Sequence, residues 1–253
     1  MIGLRRGISI AKIARLARRR YARLKGIKYV WRQQLSEATP GWARALLWRA
    51  ACRFDMLVLD HGVFRLAYLN RHRLGEHAWR SGQPAPHNID EFARRGLRTI
   101  VNLRGQRFCG SYLLEKTSCA RTGITLIDFK LRSRCAPTRE QLRGAAELFD
   151  KVEYPMLIHC KSGADRAGLM SALYLHLKED VPMARAKRQL SLRYGHSRLG
   201  ASGVLDLFFD HYVEDNRRRP MAFLDWVEKV YDPEELTRAF QRRAARPVRL
   251  GRT

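Results

Sequence analysis

Cys160 and Arg166 stand six positions apart, separated by residues that are small or polar: Lys161, Ser162, Gly163, Ala164 and Asp165. A cysteine thiolate is a nucleophile, and an arginine guanidinium can donate two parallel hydrogen bonds to a phosphate. Gly163 permits a sharp backbone turn between them. The spacing therefore indicates a loop that holds an anion beside a nucleophilic sulfur. The plainer interpretation is a core cysteine beside a surface arginine.

The segments on either side of this loop favour the first interpretation. "PMLIHC" before it has the apolar run of a buried strand, and "AGLMSALYLHLKED" after it has the composition of a buried helix. Backbone N–H groups at a helix N-terminus attract anions, and ligands bind where strands end in α/β sheets. In those fields we expect Cys160 to be largely a thiolate. Such a thiolate could attack a phosphate monoester and form a phosphocysteine, which water would then hydrolyse.

Strands and helices alternate around the loop. "LRTIVNLR", "ITLIDFKL" and "PMLIHC" are predicted strands, and helices are predicted between them. Thr138 and Gln141 have the spacing of a capping box at the start of one helix, and Asn88 and Glu91 have it at another. This order predicts an α/β fold with a mainly parallel central sheet flanked by helices.

The loop residues "HCKSGADRAG" resemble the His-Cys-x5-Arg phosphate loop of cysteine-based protein tyrosine and dual-specificity phosphatases. The upstream segments "RSGQP" and "GLRTIVNLR" are similar to those of compact bacterial members and of fungal and plant atypical members. The resemblance covers roughly residues 76–182, under half of the chain. It implies a phosphatase-like fold with added N- and C-terminal helices.

The resemblance also implies roles for single residues. Cys160 would be the nucleophile and Arg166 the phosphate clamp, and His159 would brace the loop by hydrogen bonding. The backbone amides of the following residues would complete the phosphate site: Lys161, Ser162, Gly163, Ala164, Asp165 and Arg166.

Two departures from the family pattern concern turnover. Ala167 stands where the family usually has Ser or Thr, a hydroxyl thought to help the thiolate leave. The usual acid is an aspartate in the loop after the preceding strand, but "RSRCAPT" contains no carboxylate. Asp165, within the phosphate loop, and Asp128, in the preceding strand, are the two candidates, and we favour Asp165. Either could instead merely pair with an arginine.

Lys161 adds a second cation beside the thiolate, as similar lysines do in relatives that act on phosphoinositides, phospholipids or inositol phosphates. It could equally point to solvent. Several other residues could line the rim of the pocket, although an ordinary surface position is the plainer interpretation of each: Arg132, Ser133, Arg134, Arg193 and His196.

The composition limits the partners and the compartment. Among 253 residues, 49 Lys and Arg face 24 Asp and Glu, a formal net charge of +25 that favours polyanionic partners. The five cysteines have no paired spacing, so neither disulfides nor a zinc site is expected, and we predict no metal and no cofactor. No secretory signal and no membrane span are recognisable. We therefore expect a cytoplasmic protein that could also attach peripherally to the inner face of a membrane.

The charge is concentrated at the N-terminus. Residues 1–50 carry thirteen Lys and Arg and a single acid, Glu37. Residues 8–24 have the pattern of a basic amphipathic helix that could contact anionic lipid. We divide the chain into a basic extension (1–40), a helical lead-in packed on the main domain (41–75), the phosphatase-like domain (76–182) and a helical C-terminal extension (183–253).

Three function classes follow. The first is a cysteine-dependent phosphatase for phosphomonoesters, either on phosphotyrosine or phosphoserine proteins or on phospholipids or inositol phosphates. The basic N-terminus and Lys161 favour acidic or membrane-borne substrates. The second is a catalytically weak phosphate-binding module at an anionic membrane surface. The third, a nucleic-acid-binding protein, depends on charge alone, and nucleic acid is not expected because no recognised motif is present.

Overall fold

The computed structural model describes residues 41–60 and 62–245. The basic N-terminal extension and its predicted helix over 8–24 lie outside the described residues. The chain divides after Ala51, and Cys52–Thr253 form the unit that contains the sheet and the phosphate loop. None of the described helices is both long enough and apolar enough to cross a bilayer.

The strands are β1 (His72–Arg73), β2 (Ala78–Ser81), β3 (Thr99–Asn102), β4 (Thr125–Asp128) and β5 (Met156–His159). The α-helices are α1 (Gly41–Phe54), α2 (Val63–Ala67), α3 (Pro86–Arg94), α4 (Gly110–Thr122), α5 (Arg139–Lys151), α6 (Asp165–Lys178), α7 (Met183–Ala186), α8 (Val204–Arg218), α9 (Phe223–Lys229) and α10 (Pro233–Ala245). A π-helical turn (Asp55–Leu59) follows α1, and short 3-10 turns cover Lys187–Gln189, Leu192–Tyr194 and Ala201–Gly203.

The sheet has the order β1-β2-β5-β3-β4, with β5 at its centre. β5 pairs in parallel with β2 and β3, β3 pairs in parallel with β4, and only β1 is antiparallel to its neighbour. The predicted α/β class with a mainly parallel sheet is therefore confirmed. The hairpin of β1 and β2 was not predicted, because β1 has only two residues and β2 carries Arg80 and Ser81 where the other central strands have an apolar run.

Alternate side chains of the central strands enter separate cores on the two faces of the sheet, as the period of two requires. Ile100 and Leu157 pack with α3 and α4, whereas Val101, Met156 and Ile158 pack with the larger set of helices. Because both faces are covered, the middle residues of β3 and β5 are apolar on both sides of the sheet. A sheet buried in this way provides a rigid base for the loop that follows β5.

One predicted capping box is present and the other is wrong. Thr138 Oγ1 accepts from the Gln141 amide at 3.3 Å, and the Gln141 side chain accepts from the Thr138 amide at 3.1 Å. Helix α3, however, begins at Pro86, two residues before Asn88. The Asn88 side chain accepts from the Ala85 amide at 2.9 Å, so Asn88 lies inside the first turn. Proline is favoured at that first position because it needs no amide donor.

Candidate active site

The predicted phosphate loop lies between the central strand β5 and the first residue of α6. Cys160 follows β5 directly and is only 2% exposed. The loop thus stands at the carboxyl end of three parallel strands, β2, β5 and β3, where open α/β sheets bind ligands. The strand, loop and helix predicted from the sequence are all present.

The loop backbone leaves its donors unpaired. Within the described residues, none of the backbone N–H groups of residues 161–166 donates a hydrogen bond to another protein group. Gly163 has a φ of +79°, and a Cβ there would lie 2.7 Å from the backbone of Ser81 and Gly82. Only glycine can adopt that conformation in that space. A row of free amides around a tight turn is the arrangement that holds a phosphate.

Arg166 is also available to an anion. It is half-buried in the first turn of α6, and its Nη1 donates a long bond of 3.4 Å to the carbonyl of Leu103. No carboxylate of the described residues pairs with it. A guanidinium left without an acidic partner beside six free amides is suited to clamp a phosphate.

Arg80, at the end of β2, supports the loop from behind. Its Nη2 donates to the carbonyls of Gly163 at 2.5 Å and Ala164 at 3.2 Å, and its Nη1 donates to Gln189. The guanidinium lies 4.1 Å from the ring centre of Tyr194, a cation–π contact. Burial lowers the pKa of Arg80 to about 10, and the nearby Tyr194 and Cys160 oppose the shift. Arg80 therefore stays charged at neutral pH and holds the loop carbonyls away from the anion site.

Asn70 holds the other side of the loop. Its Nδ2 donates to the Ser162 carbonyl at 3.0 Å and to the Tyr194 carbonyl at 2.9 Å. The residue has a φ of +55°, a conformation that asparagine tolerates better than most residues. One buried amide thus ties the phosphate loop to the 3-10 turn at Leu192–Tyr194.

A buried polar chain continues from His159 to the segment before β1. His159 Nε2 lies 2.7 Å from Glu115 Oε1, and both side chains are fully buried. Glu115 Oε2 accepts from Gln83 at 2.7 Å, and Gln83 in turn accepts from Arg104. Arg104 then donates both terminal nitrogens to Asp60, at 2.7 and 2.8 Å. The hydrogen bonds among Gln83, Arg104 and Asp60 hold the Glu115 carboxylate beside His159, whose own hydrogen-bond contact is between Nδ1 and the Cys160 carbonyl at 3.2 Å.

Asp60 also contacts the phosphate loop itself, because its Oδ1 lies 3.5 Å from Lys161 Nζ. Burial works against ionisation of Asp60, but the hydrogen bonds and charge of Arg104, with Ser111 and Arg65, hold its pKa well below the usual range. The carboxylate is therefore ionised and draws the Lys161 ammonium toward it. Lys161, predicted as a substrate-binding cation, is positioned by an acid outside the loop.

Asp165 belongs to a triad with the buried residues His196 and Asp206. His196 Nδ1 lies 2.7 Å from Asp165 Oδ1, and His196 Nε2 lies 2.7 Å from Asp206 Oδ2. Burial lowers the pKa of His196, but its hydrogen bonds to Asp165 and Asp206 outweigh that effect and raise the pKa to about 9. His196 is therefore an imidazolium that donates to both carboxylates at neutral pH. The interpretation of His196 as an ordinary surface group is wrong, since it is 1% exposed.

Asp128 lies at the end of β4, and its side chain is occupied. Oδ1 accepts from Asn102 Nδ2 at 2.7 Å, and Oδ2 accepts from the Tyr112 hydroxyl at 2.6 Å. Since β3 separates β4 from β5, the two strands are about 10 Å apart. Asp128 therefore lies two strands away from the strand that leads into Cys160.

The structure brings most of the predicted residues into one loop and adds partners that the sequence did not indicate. Ser162 is exposed, whereas Gly163 and Ala164 are buried. The partners are Asp60, Asn70, Arg80, Gln83, Arg104, Glu115 and His196. "RSGQP" contains Arg80 and Gln83, "GLRTIVNLR" ends at Arg104, and His196 was considered for the rim, but none of these signals reveals what the residues contact. The described residues contain no cluster of His, Cys, Asp or Glu that could hold a metal ion.

Residues 70–200, just over half of the chain, match the model of a protein family described as "DSP-PTPase phosphatase fused to NAD+ Kinase". The comparison with curated proteins returned no match.

Solved structures of phosphatases are also similar to the chain. Tk-PTP in its active form is 16% identical, with 60% of this chain and 99% of that chain covered and a TM-score of 0.45. TpbA of P. aeruginosa is 15% identical, with 69% and 92% covered and a TM-score of 0.45. The core catalytic domain of the PP-IP phosphatase SIW14 from S. cerevisiae, in complex with citrate, is 17% identical, with 61% and 96% covered and a TM-score of 0.45. Likenesses of this degree bear on neither substrate nor mechanism.

Proposed function

The chain belongs to the family of DSP-PTPase phosphatases found fused to NAD+ kinase, and we propose that it is a cysteine-dependent phosphomonoester phosphatase with a phosphocysteine intermediate. Cys160 is the nucleophile, Arg166 clamps the phosphate, and the amides of residues 161–166 bind its oxygens. No metal or cofactor takes part in this scheme.

The observation that carries this proposal is the state of the loop donors. The amides of residues 161–166 and the guanidinium of Arg166 make almost no bonds to the protein, although they surround a buried cysteine. Several amides that are left without a protein partner and converge around one tight turn suit a ligand that carries several acceptors. A phosphate monoester has three such oxygens, and the same donors would stabilise the charge that builds in the transition state.

The first chemical step transfers the phosphoryl group to sulfur. The Cys160 thiolate attacks phosphorus in line, the bond between phosphorus and the leaving oxygen breaks, and its electron pair stays on that oxygen. The leaving oxygen needs a proton, because an alkoxide is a poor leaving group. Lys161 and Arg166 offset the negative charge of the substrate during this step.

Asp165 is the better supported of the two acid candidates. It lies within the phosphate loop, and its hydrogen bond with the His196 imidazolium places a proton beside it. Both oxygens of Asp128 are occupied by the side chains of Asn102 and Tyr112, so this carboxylate is engaged within the fold. In this scheme a proton passes from His196 Nδ1 through Asp165 to the leaving oxygen.

The second step regenerates the enzyme. Water attacks phosphorus, the S–P bond breaks, the thiolate returns, and the proton lost by water passes through Asp165 back to His196. Inorganic phosphate is the product, so protons balance over the cycle. Ala167 is fully buried and offers no hydroxyl to the departing sulfur. We therefore expect this step to limit turnover.

The substrate class that we favour is an acidic phosphomonoester, such as a phospholipid headgroup or an inositol phosphate. Lys161 adds a cation at the loop, and the full chain carries a net charge of +25. A phosphotyrosine or phosphoserine protein is the other candidate substrate.

A second candidate function is a catalytically weak phosphate-binding module. The observation that favours it is the pair of departures at Ala167 and in the carboxylate-free loop of residues 132–138. Such a module would bind phosphate through the same amides and Arg166 without turnover.

Hydrolysis of 4-nitrophenyl phosphate by wild type and by Cys160→Ser separates the two functions. The enzyme proposal predicts turnover that vanadate inhibits and that Cys160→Ser abolishes. Equal activity in both proteins would exclude a cysteine mechanism. No activity in either protein, with phosphate binding retained, would establish the binding module instead.

A further inference from the structure

Several large apolar side chains in the segment before β1 face solvent. Between the end of α1 and β1, large apolar side chains are about half exposed or more, and one from the loop before α4 accompanies them. We call them the apolar surface: Phe54, Val58, Val63, Phe64, Leu66, Tyr68 and Phe108. The most exposed are Phe64 at 73% and Phe108 at 77%. Single exposed apolar residues are common, but a run of this kind marks an interaction site.

Phe108 belongs with the segment because the loop that carries it is tied to the end of α1. Asp55 accepts from the amide of Gly110, two residues after Phe108. Arg65 Nη2 lies 3.4 Å from Ser111 Oγ, which connects α2 to the start of α4. The apolar surface is therefore formed by two neighbouring segments of one unit.

In these segments the acidic side chains are buried and the bordering arginine side chains are exposed. In the described part of residues 52–69, Asp55 and Asp60 are the acidic residues, and both are buried. Arg53 and Arg107, which border the apolar surface, are exposed. The surface therefore presents apolar groups and cations to solvent, with its carboxylates turned inward.

The apolar surface is joined to the phosphate loop at two points. Asp60 Oδ1 lies 3.5 Å from Lys161 Nζ. The Tyr68 hydroxyl lies 3.3 Å from Asn70 Oδ1, and Asn70 donates to the Ser162 carbonyl. The segment that carries the apolar surface is therefore attached to the phosphate loop at Lys161 and Ser162.

We propose that the apolar surface docks on a bilayer that contains anionic phospholipid. The combination of exposed aromatic and aliphatic side chains with bordering arginines suits the interface between headgroups and acyl chains. Residues 1–40, which lead directly into α1, add eleven Lys and Arg against one acid, and each such cation near an anionic surface strengthens attachment. A protein partner would need acids to match these cations, whereas an anionic bilayer supplies negative charge and an apolar layer together.

This inference goes beyond the proposed phosphatase function and does not depend on turnover. Docking would place Lys161 and the phosphate loop near the headgroups. A phosphomonoester headgroup could then reach the loop without leaving the bilayer.

Co-sedimentation with vesicles tests the proposal. The full-length protein is mixed with vesicles of phosphatidylcholine alone, and with vesicles of phosphatidylcholine and phosphatidylglycerol. The same is done for Cys160→Ser, for the double variant Phe64→Glu/Phe108→Glu, and for a matched control, Leu199→Glu, whose side chain is 99% exposed elsewhere. The uncharged pair Phe64→Ser/Phe108→Ser serves as a milder version of the double variant.

We expect wild type, Cys160→Ser and Leu199→Glu to bind the anionic vesicles and to bind neutral ones weakly. Both double variants should bind anionic vesicles at least about tenfold more weakly, because each loses the burial of two phenylalanine rings. Their hydrolysis of soluble 4-nitrophenyl phosphate should match that of wild type.

Three results would overturn the proposal. Unchanged vesicle binding by both double variants would assign attachment to other residues. No binding by wild type would exclude a bilayer. A wild-type dimer that the double variants convert to a monomer, without vesicle binding, would make this surface a contact between two copies of the chain. Loss of activity in Cys160→Ser with vesicle binding retained would separate docking from the phosphatase function.

Discussion

His196 Nδ1 lies 2.7 Å from Asp165 Oδ1, so a buried imidazolium is hydrogen-bonded to the acidic residue of the phosphate loop. The other ring nitrogen is held by Asp206. Since two carboxylates share one cation, the triad keeps Asp165 oriented and provides a proton beside it. This relationship links the helical segment after residue 182 to the chemistry of the loop.

The triad predicts how stability depends on pH. The pKa of His196 is about 9 in the folded protein and about 6.5 when unfolded, so the folded state binds an extra proton between those values. Protonated His196 therefore stabilises the folded state fully below about pH 6.5, and this stabilisation is lost as pH rises through about 9. Chemical denaturation should show the free energy of unfolding falling by about 2–4 kcal/mol over this range.

The matched pair His196→Gln and His87→Gln checks this assignment. His196→Gln should remove the fall in the free energy of unfolding with pH. His87→Gln should leave that fall unchanged, because His87 is exposed. A slope that survives in His196→Gln would mean that another group takes up the proton.

The choice of acid predicts a dependence on the leaving group. Asp165→Asn should slow hydrolysis of alkyl phosphates by about 10²–10⁴-fold, because alkoxides need a proton to leave. The loss should be much smaller for 4-nitrophenyl phosphate, whose leaving group is stable as an anion. Asp128→Asn should change neither rate. The opposite pattern, or no change in either variant, would remove Asp165 from the scheme.

Arg80 should support the active conformation of the phosphate loop, although it is not expected to contact the substrate. Arg80→Lys keeps the charge but cannot reach both loop carbonyls and Gln189 together. Because charge-assisted hydrogen bonds are lost, we expect kcat/KM for 4-nitrophenyl phosphate to fall by about 10–100-fold, with weaker vanadate inhibition. Arg73→Lys, at an exposed site, is the control. Equal inhibition constants in Arg80→Lys and wild type would show that the loop does not need this support.

The absence of a hydroxyl at Ala167 predicts that hydrolysis of the phosphocysteine is the slow step. If hydrolysis of the phosphocysteine limits turnover, rapid mixing with 4-nitrophenyl phosphate should give a burst of nitrophenol followed by a slower steady rate. Ala167→Ser restores the hydroxyl and should raise the steady rate while the burst shrinks. A linear trace without a burst in wild type would place the slow step before the intermediate.

Local signals were enough to predict the loop and its surroundings. The apolar run of β5, the small residues after Cys160 and the helix after Asp165 are neighbours in sequence, so the strand, turn and helix are readable from that stretch. The capping box at Thr138 is equally local. The start of α3 was misplaced because Pro86 provides a stronger helix start than Asn88.

The supporting residues could not be predicted because their partners are distant in the chain. Asn70 donates to Ser162 across 92 positions, and Asp60 contacts Lys161 across 101. His196 is one of several polar residues in "LRYGHSR", and nothing in that stretch distinguishes a buried imidazolium from a surface one. Such contacts are set by tertiary packing, which hydrophobic periodicity does not record.

The most direct test of the central claim is detection of the phosphocysteine. Wild type is mixed with 4-nitrophenyl phosphate, quenched in acid within the burst phase and digested, and its peptides are analysed by mass spectrometry. We predict one added phosphoryl group on the peptide that contains Cys160, absent without substrate and absent in Cys160→Ser. Hydrolysis with the phosphoryl group on another residue, or hydrolysis by Cys160→Ser at the wild-type rate, would contradict the account.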